Sequence, residues 1–114
     1  MSEDDYISQL HERAPNDGDA SLEVIALADE AVRAFPESAK LWCLRGDLIQ
    51  LGPENNPHSL EDALVSFRRA IEIDPGFVEA WEEIGHFYDA VLDDEPGARP
   101  YFQEAARLKA QNAA

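Results

Sequence analysis

The chain has 114 residues, of which 24 are Asp or Glu and nine are Lys or Arg, for a net charge of −15 at pH 7. That length supports one domain with a continuous core, and an apolar fraction of 45% argues against global disorder. Acids spread along the whole sequence repel nucleic-acid phosphates and anionic lipid headgroups, which need clustered Lys or Arg, so DNA, RNA and membrane roles are disfavoured.

Six helical segments can be drawn in chain order. The first, over residues 3–13, has only Tyr6, Ile7 and Leu10 as apolar residues, and the Pro15 to Gly18 turn cluster ends it. The second covers about 20–34, with Leu22, Ile25, Ala28 or Asp29, and Val32 at helical spacing. Pro36 closes it, and Ser38 is placed to cap a third helix over about 39–51, rich in Leu41, Trp42, Leu44, Leu48 and Ile49. Gly52 and Pro53 stop that helix. Ser59 with Asp62 then opens a fourth, in which Leu60, Ala63, Leu64, Phe67, Ala70 and Ile71 form one amphipathic stripe. After the Asp74 to Gly76 turn a fifth helix is expected over 77–92, and a sixth runs to about residue 111 with Pro100 in its first turn. No segment alternates apolar and polar residues for a strand's length, so the fold is all-α. Short connections imply antiparallel neighbours.

Cys43 is the single cysteine, so an internal disulfide is impossible. The first five residues lack the basic and apolar stretches of a secretory signal, and no apolar run approaches the ~20 residues that span a bilayer, which makes a cytoplasmic protein the expectation. Lys40 and Lys109 are the two lysines among the nine cations. Acid excess with scarce lysine resembles the surfaces of proteins from salt-loving organisms, where concentrated salt screens self-repulsion. On that hypothesis the melting temperature climbs steeply with added salt, and a flat dependence contradicts it.

Two segments overlay. Ala63, Phe67 and Ala70 recur 35 residues later as Ala98, Phe102 and Ala105, while Pro36 and Trp42 recur 39 residues later as Pro75 and Trp81. Gly46 has its counterpart in Gly85, and the extra residues fall in the turn around Pro53 to Pro57. A fixed period with insertions confined to turns indicates stacked units. The run Trp81, Ile84, Gly85, Tyr88, then Ala98, Phe102 and Ala105, resembles the tetratricopeptide repeat. The preceding unit matches through Trp42, Gly46, Ala63, Phe67, Ala70 and Pro75, and departs where Arg45 takes the usual leucine and Ile49 the usual tyrosine. A first unit is suggested by Ala28, Ala31 and Pro36 alone. The resemblance implies a right-handed α-solenoid of about three antiparallel helix hairpins in one domain over 1–114. Its units are a degenerate repeat over about 3–37 and repeats over about 39–76 and 78–111. Small residues let paired helices approach, with Trp, Phe and Tyr filling the space alongside. Trp42 and Trp81 are expected in the core, not as ligand-stacking residues.

In this family the concave side is lined by the first helix of each repeat. The groove positions implied are Lys40, Cys43, Asp47 and Gln50 in the middle unit and Glu79, Glu82, His86 and Asp89 in the last, with Glu83 beside them. Such a groove suits a basic or amphipathic peptide or protein, although acids occur on every face of so acidic a chain and a merely solvated surface is the alternative. The lysine and asparagine clamp by which some members hold acidic C-terminal peptides is disfavoured, because Cys43 and Asp47 stand at its positions.

No cofactor, metal or catalytic residue is expected. Cys43 and His86 could face each other across adjacent repeats, but His11, His58 and His86 are scattered, no ligand-pair spacing occurs, and His58 reads as part of a turn. A non-catalytic scaffold or adaptor is therefore the first reading. The alternative is a structural role with self-association through the last helix, whose Tyr101, Ala105 and Leu108 are expected to be partly exposed. A longer parent array, or a last helix polar enough through Gln103, Glu104, Arg107 and Lys109, would also account for that end.

Overall fold

The computed structural model describes residues 1–113; residue 114, included in the expected domain, lies outside them. Its helices are α1 (Glu3–Arg13), α2 (Leu22–Ala34), α3 (Ala39–Gln50), α4 (Leu60–Ile73), α5 (Val78–His86) and α6 (Glu95–Asn112), with no strand among the described residues. Five of them open on a side chain that accepts a backbone N–H of the first turn: Ser2, Ser21, Ser38, Ser59 and Asp94. Ser2 with Asp5 and Ser59 with Asp62 form full capping boxes. Pro15, Pro36 and Pro75 each come directly after the residue that caps a helix C-terminus.

Two local expectations are corrected. The fifth helix does not continue to residue 92 as α-helix. It passes at Phe87–Val91 into a π-helical turn, in which the Leu92 N–H donates to the Phe87 carbonyl at 3.2 Å. Asp93 then takes a left-handed φ of 50° and reverses the chain. Pro100 lies inside α6, and Pro96 occupies the first turn in its place. The Asp94 carboxylate accepts the Gly97 N–H at 2.9 Å, which fixes the helix start ahead of Pro96. Pro100 has no N–H to donate to the Pro96 carbonyl, but both residues are exposed and water can take that role.

Hairpins α1–α2, α3–α4 and α5–α6 stack through α2 on α3 and α4 on α5, giving the all-α solenoid. The first helices α1, α3 and α5 also touch in series along one side. Close packing within the two matched hairpins has one cause. A Cβ on Gly46 would lie 2.5 Å from the Phe67 ring, and one on Gly85 would lie 2.7 Å from the Phe102 ring. The indole N–H of Trp42 donates to the Pro36 carbonyl at 2.8 Å, and that of Trp81 to the Pro75 carbonyl at 2.8 Å. Both tryptophans are half-buried: Trp42 packs against the core, and each indole edge stays at the turn it clips. The last helix is corrected in the same way. Ala105 and Leu108 are only 3% and 7% exposed, because α6 packs along α5 and the π-helical turn, and half-buried Tyr101 stacks on Tyr88 at 5.3 Å. The apolar face proposed for self-association is thus largely spent inside its own hairpin.

Arg45 explains how the middle unit tolerates a charge at an apolar position. Its guanidinium donates to Asp29 of α2 at 2.8 Å and to Ser66 of α4. His58, on the inserted turn, reaches Asp29 at 2.8 Å through Nε2 and Asp62 at 3.3 Å through Nδ1. Burial alone would raise the Asp29 carboxyl, but hydrogen bonds from His58 and Arg45 hold it below the usual aspartate value. Among the described residues no buried side-chain polar atom lacks a hydrogen-bond partner.

Candidate functional site

Where α1, α3 and α5 meet, their apolar stripes do not close completely. A cleft of about 360 Å³ remains, lined by Leu10 and His11 of α1, the α1 cap residue Ala14, Leu44, Asp47, Leu48 and Gln50 of α3, the α3 cap residue Leu51, and Glu83 of α5. Leu10 and Leu48 on its floor form part of the buried core. Asp47 and Glu83 are the acidic side chains of its lining. Burial, then a hydrogen bond with Glu83, then the charges of Glu83 and Glu79 push the Asp47 carboxyl up to about 8.

The structure separates the eight groove positions expected from the sequence. Asp47 and Gln50 line the cleft. Cys43 does not: it is 2% exposed, so its place in an open groove is corrected. Burial, followed by the charges of Asp47, Glu83 and Glu79, raises its thiol, which therefore stays protonated and non-nucleophilic. Lys40 reaches the Glu79 carboxylate at 3.3 Å and lies 5.9 Å above the Phe77 ring. Glu82 accepts from Lys109 of α6 at 2.7 Å. His86 packs edge-on against Phe102 at 5.1 Å. Asp89 sits on the π-helical turn and lines a second cleft with Glu95, Ala98, Arg99 and Phe102, apart from Asp47 and Gln50. The extra residue of a π turn rotates every later side chain about the helix axis, which takes Asp89 off the stripe that a continuous α-helix would give.

Seven residues of the cleft lie outside the eight expected positions, among them Glu83, His11 of α1 and Ala14 at the α1 C-cap. Glu83 is legible as a neighbour of the groove set. The α1 wall is not, because α1 lacks the Trp and Gly of the repeat and its register cannot be aligned.

No protein-family model matches the chain, and no curated protein matches it. Among solved structures it is similar to MamA, residues 41 to the end, from Desulfovibrio magneticus RS-1, with a TM-score of 0.67 at 20% identity. The match covers 80% of this chain and 48% of that one, so the present chain spans about half the length of its structural neighbour. A likeness at this identity shows the fold, which is a tetratricopeptide-like helical solenoid. Among the described residues, no helix is long and apolar enough to cross a membrane.

Proposed function

We propose that the protein is a non-catalytic protein–protein interaction module. Its three units, over about residues 3–37, 39–76 and 78–111, act as one binding domain. The partner is a protein or peptide segment that is basic and amphipathic, and it docks in the cleft between α1, α3 and α5. The observation that supports this most is the composition of the cleft, in which leucine walls surround two acids, Asp47 and Glu83, that form no salt bridge among the described residues. Glu79 and Glu82, by contrast, are already paired with the chain's two lysines and contribute at the rim. The net charge of −15 hastens the encounter with a cationic partner. A buried, protonated Cys43 fits a binding role and offers no nucleophile. A cytoplasmic setting is part of the same proposal.

The test is capture from a lysate of the source organism at its own salt. Wild type is compared with Asp47→Asn plus Glu83→Gln and with an outer control, Glu61→Gln plus Glu72→Gln on α4, after circular dichroism shows all three folded. A partner held by wild type and the control but lost from the cleft variant supports the reading. Equal capture by all three places the site elsewhere.

A further inference from the structure

The turn inserted between α3 and α4 reaches back to its neighbours through one side chain. His58 sets its Nε2 at 2.8 Å from the Asp29 carboxylate on α2 and its Nδ1 at 3.3 Å from the Asp62 carboxylate on α4. An ionised carboxylate only accepts and a neutral imidazole carries one N–H, so both contacts are hydrogen bonds only while the ring is the imidazolium. Asp29, which burial pushes up and hydrogen bonds from His58 and Arg45 bring below the usual aspartate value, is ionised at neutral pH. Arg45 reaches the same carboxylate at 2.8 Å, so the row Arg45, Asp29, His58, Asp62 alternates in sign and balances only when His58 is charged. Those are the charged groups that α2, α3 and α4 bring to the ring, while Glu54 of the turn itself is exposed. The side chains of Arg45, His58 and Asp29 are 14%, 18% and 22% exposed, so water screens the inner three only in part. Asp62, at 44%, is the end that can turn out to solvent.

We infer that His58 is a proton-operated clasp: as the imidazolium it pins the inserted turn to α2 and α4 together, and as the neutral ring it keeps Asp29 and lets go of Asp62. One proton passes from the ring to solvent. What remains is a single N–H on Nε2, which faces both Asp29 oxygens at 3.0 and 2.8 Å, and a bare lone pair on Nδ1 that the Asp62 carboxylate repels.

The release reaches past the ring. The Asp62 Oδ2 that faces Nδ1 also accepts the Ser59 N–H at 3.1 Å and so completes the capping box of α4. A carboxylate that turns away from the ring therefore loosens the start of that helix. On its other side the turn is tied to α3, because Asn56 donates to the Ile49 carbonyl at 3.1 Å and accepts the His58 N–H at 3.0 Å. Gln50 and Leu51, next along the chain, line the cleft, so order in the turn extends to the cleft rim. The consequence is conformational: the turn is fastened at low pH and loosens across the range in which histidine changes charge, about pH 5 to about 8. By linkage, a contact made only by the protonated ring stabilises the folded form while the ring is charged, and that contribution declines as pH rises, by at most about tenfold per pH unit for one proton. Neither His11 nor His86 forms an ion pair among the described residues, so neither offers a second clasp.

The experiment uses the full chain and two readouts between about pH 5.5 and about pH 8, the span of histidine titration. Nitrogen chemical shifts of the imidazoles distinguish a ring with two N–H groups from a ring with one. Amide exchange at Ser59 and Asp62, expressed as protection so that the intrinsic effect of pH is removed, reports the fastening of the turn. The expected result in wild type is a doubly protonated His58 at the lower end and protection that falls several-fold towards the upper end. His58→Gln has no ring proton to lose, and in Asp62→Asn the side-chain amide can turn its NH2 group to a bare Nδ1. Both variants, once circular dichroism shows them folded, are expected to give flat protection. A His58 ring with a single N–H at the lowest pH overturns the clasp and needs no variant. Wild-type protection that stays flat across the range overturns it as well. A decline that persists in both variants also overturns it, since the proton responsible must then sit elsewhere, for example on His11 or His86.

Discussion

The middle and last hairpins meet the same packing demand with the same parts and then differ at one position. Each buries a phenylalanine against a glycine, Phe67 on Gly46 and Phe102 on Gly85, and each clips a tryptophan to the carbonyl of a proline, Pro36 or Pro75. Three residues after the tryptophan they part. The last hairpin places Ile84 there, fully buried, and stacks Tyr101 on Tyr88. The middle hairpin places Arg45, with Ser66 where the last has Tyr101, and closes the site with Asp29 from α2 and His58 from the inserted turn. An apolar position in a repeat can thus be made polar when three other elements each bring a partner. The exchange also ties the first, degenerate hairpin to the second through charge, beside the packing of α2 on α3.

The largest effect expected from this comparison concerns the paired phenylalanines. Phe67 is fully buried, so Phe67→Ala costs about 3–5 kcal/mol, while half-buried Phe102 costs less when truncated. Urea unfolding of the two variants measures this, and an equal or larger loss at Phe102 breaks the ranking. Next in size, Arg45→Leu removes a donor from Asp29 and Ser66 and costs about 1–3 kcal/mol, although leucine is the residue usual at that position. Adding Asp29→Asn, which keeps an acceptor for His58 without a charge to balance, recovers most of that loss. If Arg45→Leu alone stabilises the fold, the network is ornamental.

The pH dependence of stability separates the cleft from the rest of the surface. The folded Asp47 carboxyl is raised from 3.8 to about 8, so the folded chain holds a proton that the unfolded chain has lost. Stability from this group is therefore full below the unfolded value and declines as pH rises through the folded one. Melting temperatures of wild type against Asp47→Asn across that window should show the variant gaining relative stability as pH rises, and parallel curves would contradict the assignment. The smallest effect is a matched pair. Trp42→Phe and Trp81→Phe each lose one hydrogen bond to a proline carbonyl and cost about 1 kcal/mol apiece, and a large inequality between them would show that the two clips are not equivalent.

Much of this architecture is legible in the sequence because local signals agree with one another. Serine caps, proline stops and a 35-residue recurrence of Ala, Phe and Ala place all six helices and the two matched hairpins. Three features are not legible, for identifiable reasons. The π-helical turn inserts a residue without any marker such as proline, so helical spacing puts Asp89 on the wrong face. Pro100 looks like a first-turn residue because Pro96 and the Asp94 cap cannot be ranked against it from spacing alone. Cys43 shares a helical stripe with Asp47, yet it is buried in the core, and burial set by tertiary packing leaves no local trace. Arg45 is visible as an anomaly. Its partners are not, since Asp29, His58 and Ser66 come from three separate elements.

The central claim is that the cleft between α1, α3 and α5 is the docking surface, and amide chemical-shift mapping with the captured partner tests it most directly. The account predicts that shifts concentrate at Leu10, His11, Leu44, Asp47, Gln50 and Glu83, which line the cleft, and leave exposed Val65 of α4 unmoved. Shifts confined to α4 and α6, with the cleft residues silent, would contradict it.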